Sequence, residues 1–90
     1  MNLQNLRENA HMLLSHMEEN GYSAIYISKL RCEINRIVTE TQSRGWASYV
    51  DVYQEYIGRL SSQINIRAKR TFLGIIKNFD EFGQYPDGIR

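Results

Sequence analysis

The chain has one cysteine, one proline and no long apolar run, and each scarcity removes a class of protein. Cys32 has no second cysteine to pair with, so a disulfide-stapled secreted scaffold is excluded and a reducing cytoplasm is the expected setting. No stretch approaches the roughly 18 uninterrupted apolar residues of a membrane span. The N-terminal MNLQNLRENAHMLL also lacks the basic region and apolar run of an export signal. Low-complexity tracts and long-period repeats are missing as well. Histidine is scarce: His11 and His16 are off the helical spacing that a shared metal ion wants, and no carboxylate cluster completes a site, so neither metal nor other cofactor is expected. Cys32 has no histidine at recognisable spacing and reads as a buried or semi-buried small hydrophobe rather than a nucleophile. No phosphate-binding glycine loop is found.

What is present is a pattern of helices. Ninety residues, 42% hydrophobic and 23% charged, suit one domain, spanning 1–90, with a single core. Leu3, Leu6, Ala10, Leu13, Leu14 and Met17 recur at steps of three and four, with Asn5 and Glu8 as a capping box and Asn20-Gly21 as a stop. Ser23 offers an N-cap hydroxyl to a second helix, with the stripe Ile27, Leu30, Ile34, Ile37 and Val38, which fades between Thr41 and Gly45. A third helix is expected to start at Ser48, with Asp51 as its capping acid, and to bury Val50, Tyr53, Tyr56, Ile57 and Leu60 before Ser61-Ser62-Gln63 break it. Trp46 precedes it and plugs the core edge. Tyr49, Tyr53 and Tyr56 read as core or partial core, with base stacking as the sharper alternative. The fourth helix puts Ala68, Phe72, Ile75, Ile76, Phe79 and Phe82 on one side and ends at Gly83 and Pro86. Four amphipathic helices must pack together to cover their stripes, which gives a compact all-α, four-helix fold.

Charge is segregated along these helices. The balance of Lys and Arg against Asp and Glu is about −2 over residues 1–20, +2 over 21–44, −1 over 45–63, +4 over 64–77 and −2 over 78–90. The cations of the +4 segment all lie in IRAKRTFLGIIKNF, Ile66 to Phe79, which has four cations, no acid and a glycine in mid-helix. Arg67, Arg70, Gly74 and Lys77 follow steps of three, four and three, so they share the face opposite the core, with Lys69 to its side. An exposed mid-helix glycine costs about 1 kcal/mol relative to alanine. That cost has a reason if a phosphate or a partner helix comes close to the backbone there. On the second helix, Lys29 with Glu33 and Arg36 with Glu40 have the spacing of exposed ion pairs, which describes an ordinary solvated face. Its first turn is different, because a capped helix N-terminus, Tyr26 and Lys29 come together, and helix N-termini attract phosphates.

The run Gly21-Tyr22-Ser23-Ala24-Ile25-Tyr26-Ile27-Ser28-Lys29-Leu30, continuing to Ile34 and Ile37, resembles the opening of the second helix in the N-terminal core-binding (SAM-like) domain of tyrosine recombinases, or phage integrases. The stretch Arg67 to Phe82, followed by Gly83-Gln84-Tyr85-Pro86, looks like that domain's last helix, basic at its start and then apolar and aromatic up to a turn. The resemblance covers roughly residues 8 to 86. It implies a SAM-like core-binding domain that grips double-stranded DNA as half of a C-shaped clamp, its second and fourth helices facing the major groove. By position it implies phosphate contacts at Ser23 and Tyr26, and DNA-facing roles for Lys29, Arg67, Lys69, Arg70 and Lys77. Tyr26 stands where threonine is common in the family.

Catalysis in that family belongs to a C-terminal domain with two arginines, a lysine, a histidine-containing motif and a tyrosine nucleophile. No His-x-x-Arg motif with a downstream tyrosine follows Pro86, so this chain itself is not expected to be an enzyme. It reads either as a piece of a recombinase, partnered by a catalytic domain of the same parent chain and by other protomers on DNA, or as a stand-alone domain that binds without cutting. If four cations of the last helix neutralise four phosphates, affinity falls with salt at a log-log slope of about −3.6. Arg67 or Arg70 has the chemistry to contact base edges. A reading from another class stays open: a helical protein-interaction module, homodimeric through close packing at Gly74, with its charges steering an acidic partner.

Overall fold

The computed structural model describes residues 3–58 and 66–86. Four helical stretches run in chain order: α1 over Leu3–Glu19, α2 over Ala24–Arg44, a short α3 over Tyr49–Asp51 that widens directly into a π-helical segment over Val52–Ile57, and α4 over Ile66–Phe82. No strand occurs among the described residues. The fold is all-α, and a radius of gyration of 12.6 Å matches the roughly 12 Å of a compact chain of this length.

The boundaries follow from local chemistry. Tyr22 N–H donates to Met17 C=O at 3.1 Å and Gly21 N–H to Glu18 C=O at 3.2 Å, closing α1 with Gly21 at φ 88°. This left-handed residue admits glycine at little steric cost. Ser23 Oγ accepts the Tyr26 N–H at 3.1 Å and caps α2, which stops at Gly45 (φ 69°). The start of α1 differs from the sequence expectation: Asn5 lies inside the helix, so it is not the cap. Ser48 precedes α3 but makes no side-chain cap bond; instead Asp51 Oδ2 accepts the Ala47 N–H at 2.9 Å.

The core gathers Leu6, Leu13, Leu14 and Met17 of α1, Ile27, Leu30, Ile34, Ile37 and Val38 of α2, and Phe72, Leu73, Ile76 and Phe79 of α4. Each such side chain contributes about 1.5–3 kcal/mol when fully buried. Trp46 closes one edge, its indole N–H donating to Glu55.

The third stretch departs most from a regular helix. Its buried residues are Tyr49, Val52, Tyr56 and Ile57, whereas Val50, expected inside, is 61% exposed. A π turn bonds five residues apart rather than four, so it rotates the following side chains away from the α-helical stripe. Leu60 and the Ser61–Gln63 break lie outside the described residues. On α4, Leu73 is buried in place of Ala68, which is exposed, and Phe82 is 63% exposed. Cys32, expected at least partly buried, is exposed.

Candidate functional site

Helices α2 and α4 meet along a cleft that sorts the expected binding residues into two groups. Tyr26 of α2 stacks edge-on against Phe72 of α4, with ring centroids 5.1 Å apart, and seven residues later Glu33 meets Lys69. As α2 advances, the contacts on α4 move backward, so the helices run antiparallel here. Between these two contacts opens a cleft of about 290 Å³ lined by Lys29, Cys32 and Arg36 from α2 and by Ala68, Lys69 and Phe72 from α4.

The floor of the cleft is a closed polar network. Lys69 Nζ lies 2.6 Å from Glu33 Oε1, and the Tyr56 hydroxyl donates to Glu33 Oε2 at 2.9 Å. Lys69 also donates to the Tyr56 hydroxyl oxygen at 3.4 Å, while Arg36 approaches that oxygen at 3.4 Å and Glu33 Oε1 at 3.7 Å. Burial disfavours the Lys69 ammonium, yet the hydrogen bond and charge of Glu33, with help from Tyr56, hold its pKa above the ordinary lysine value. The Tyr56 hydrogen bond and the charge of Glu33 likewise raise Arg36. Donors and acceptors in this network are aimed at one another, which suits tying α2, the π-helical segment and α4 into one unit.

Lys69 was expected to face DNA, but its side chain is only 16% exposed and its charge is answered by Glu33. Lys77 forms an i,i+4 pair with Glu81 at 3.2 Å and lies over the Phe82 ring. Lys29, Arg67 and Arg70 are the other group: all three are exposed and carry no ion pair among the described residues. Ser23 is exposed, with its hydroxyl oxygen accepting the cap bond. Tyr26 is half-buried, its ring wedged between Tyr22 and Phe72. Gly74 is half-buried on the face of α4 shared with Arg67 and Arg70, has an ordinary helical φ, and a methyl group added there meets no atom of the described residues within 4 Å. Nothing among the described residues demands a glycine at that position.

Glu33, Tyr56 and Arg36 are the residues that sequence reasoning missed as parts of this network. The available signal was positional: Glu33 falls between Leu30 and Ile34 on the edge of the α2 stripe, where a carboxylate needs a partner from another helix. The expected Lys29–Glu33 pair is replaced by Lys69–Glu33, and Glu40 pairs with Arg44 at 2.6 Å. Comparison of the chain with protein-family profiles, with curated proteins and with solved structures finds no match.

Proposed function

We propose that this chain is a DNA-binding module that grips duplex DNA across the face made by α2 and α4, as the core-binding domain of a tyrosine-type site-specific recombinase would. In this reading it holds DNA in position for strand exchange by a catalytic domain elsewhere in the parent chain. The observation that carries it is a set of exposed cations with no ion pair among the described residues, Lys29 on the rim of the α2–α4 cleft and Arg67 and Arg70 on the neighbouring face of α4 that also carries Gly74. Unpaired cations are what phosphates require, because each contact gains by releasing counterions from the duplex. The Glu33–Lys69 network fixes the spacing of the two helices and so the spacing of the cations they carry. Ser23 and Tyr26, at the start of α2, are the phosphate contacts nearest the helix N-terminus.

The test is a titration of a DNA duplex at low and moderate salt with the wild-type chain and with the Arg67→Ala/Arg70→Ala variant. Salt-sensitive binding that the double substitution weakens supports the assignment, and equal binding by the two proteins removes this face from the interface. The same open space above Gly74 also suits a second copy of the helix. In that homodimeric reading, sedimentation shows a stable dimer and the titration shows no affinity for DNA at low salt.

A further inference from the structure

The polar network on the cleft floor joins one acid to two cations. Lys69 Nζ answers Glu33 at 2.6 Å, whereas Arg36 reaches the same carboxylate only at 3.7 Å and the Tyr56 hydroxyl at 3.4 Å. Arg36 is therefore a surplus positive charge, and its side chain is 52% exposed. Both contacts are made by Nη1. A guanidinium is a planar fork with five N–H donors, so the edge formed by Nε and Nη2 makes no hydrogen bond among the described residues while the plane itself is held.

The surroundings of Arg36 differ from those of Arg67 and Arg70. It follows Lys29 by seven residues, about 10 Å along α2, and stands between two depressions. One is the α2–α4 cleft; the other is a shallow groove of about 420 Å³ along α2, lined by Cys32, Asn35, Thr39 and Glu40 as well as Arg36. Glu40 is tied to Arg44 at 2.6 Å, and the exposed groups left beside Arg36 are neutral: a thiol, an amide and a hydroxyl. Such a set suits base edges better than phosphates. Phosphate contacts need charge and tolerate mobile side chains, whereas a base edge is read by donors and acceptors fixed in position. A fork that is already held loses less freedom on binding. Guanine presents two acceptors, O6 and N7, on its major-groove edge, and a two-donor edge of arginine matches them.

We propose that Arg36 is a base-reading residue, donating from its Nε and Nη2 edge to a guanine in the major groove, with Tyr56 of the π-helical segment as the residue that positions it. The inference rests on the DNA-binding reading above and places sequence recognition in the middle of α2. Arg67 and Arg70, exposed and without an ion pair among the described residues, then serve phosphates.

The test is selection of preferred duplexes from a randomised pool by the whole chain, then titration of the preferred duplex and of versions in which each guanine is replaced by adenine. The wild-type chain is expected to favour guanine by about tenfold at one position. Arg36→Lys keeps the charge but loses the planar fork, so it brings that ratio close to one. Tyr56→Phe keeps the ring but releases the fork, and lowers the ratio several-fold. A loss of stability alone does not move this ratio, because it compares two duplexes on one protein. Salt-sensitive binding without a guanine preference, or a preference that Arg36→Lys retains in full, overturns this assignment and leaves phosphate binding by Arg67 and Arg70 standing. No binding to any duplex at low salt overturns both readings.

Discussion

Lys69 on α4 and Glu33 on α2, 36 positions apart in sequence, form an ion pair of 2.6 Å that the Tyr56 hydroxyl completes from the π-helical segment. This pair turns one of four cations in a basic helix from a binding group into a structural one.

Removing one partner should therefore cost stability. Lys69→Met removes the nearest cation from the Glu33 carboxylate, whose side chain is 10% exposed, and leaves it the Tyr56 hydroxyl and the more distant Arg36. The expected loss is about 2–3 kcal/mol, below that of a fully enclosed pair because solvent reaches the rim of the cleft. Replacing both members with Glu33→Leu and Lys69→Met should recover most of it. Urea unfolding of the three proteins checks this, and a Lys69→Met midpoint equal to wild type would show that the pair does not matter.

Alkaline pH should expose two groups together. Burial above all, then the hydrogen bond to Asp80, hold the Tyr49 phenol far above its ordinary value of 10.0, and Lys69 also has a raised pKa. Both groups fold in their protonated forms. Their contributions are whole below about pH 10 and disappear as pH rises through the folded-state values. Stability should thus be flat from neutral pH to about 10 and fall steeply beyond it. Tyr49→Phe should show a shallower alkaline fall, measured by denaturant midpoints and by phenolate absorbance. Identical alkaline profiles for the two proteins would refute the role given to Tyr49.

Gly74→Ala separates folding from binding. A methyl group fits without contact and the backbone is already helical, so the variant should be more stable by about 1 kcal/mol. If DNA comes close to the backbone there, the same variant binds duplex more weakly while melting higher. A gain in stability with unchanged affinity would show that nothing approaches Gly74.

Much of this fold was legible because it rests on local rules. Ser23 caps α2, Gly21 and Gly45 take left-handed φ, and the stripe from Ile27 to Val38 faces inward, each a consequence of nearby residues. What was not legible depends on the third dimension. Glu33 has a lysine four residues before it and an arginine three after it, so sequence spacing gave it a local partner; its strongest partner arrives from α4. Tyr49 lies inside and Val50 outside in the short turn before the π-helical segment, and no residue in Val52–Ile57 signals the wider turn that buries Val52, Tyr56 and Ile57. Periodicity alone put Phe82 on the core side, but the helix ends there, beyond the reach of the other elements, and the ring lies under Lys77. The basic face of α4 was readable from its steps of three and four, whereas its division into paired and unpaired cations was not.

The most direct measurement is the salt dependence of duplex binding. With Lys69 held by Glu33 and Lys77 paired with Glu81 on the surface, the proposed phosphate contacts are Lys29, Arg67 and Arg70, for which a log-log slope of about −2.7 is expected rather than the −3.6 of four α4 cations. Arg67→Ala/Arg70→Ala should reduce the affinity at low salt and flatten the slope to about −0.9. Absence of duplex binding at low salt, or a double variant with the affinity and slope of the wild type, would contradict the DNA-binding account.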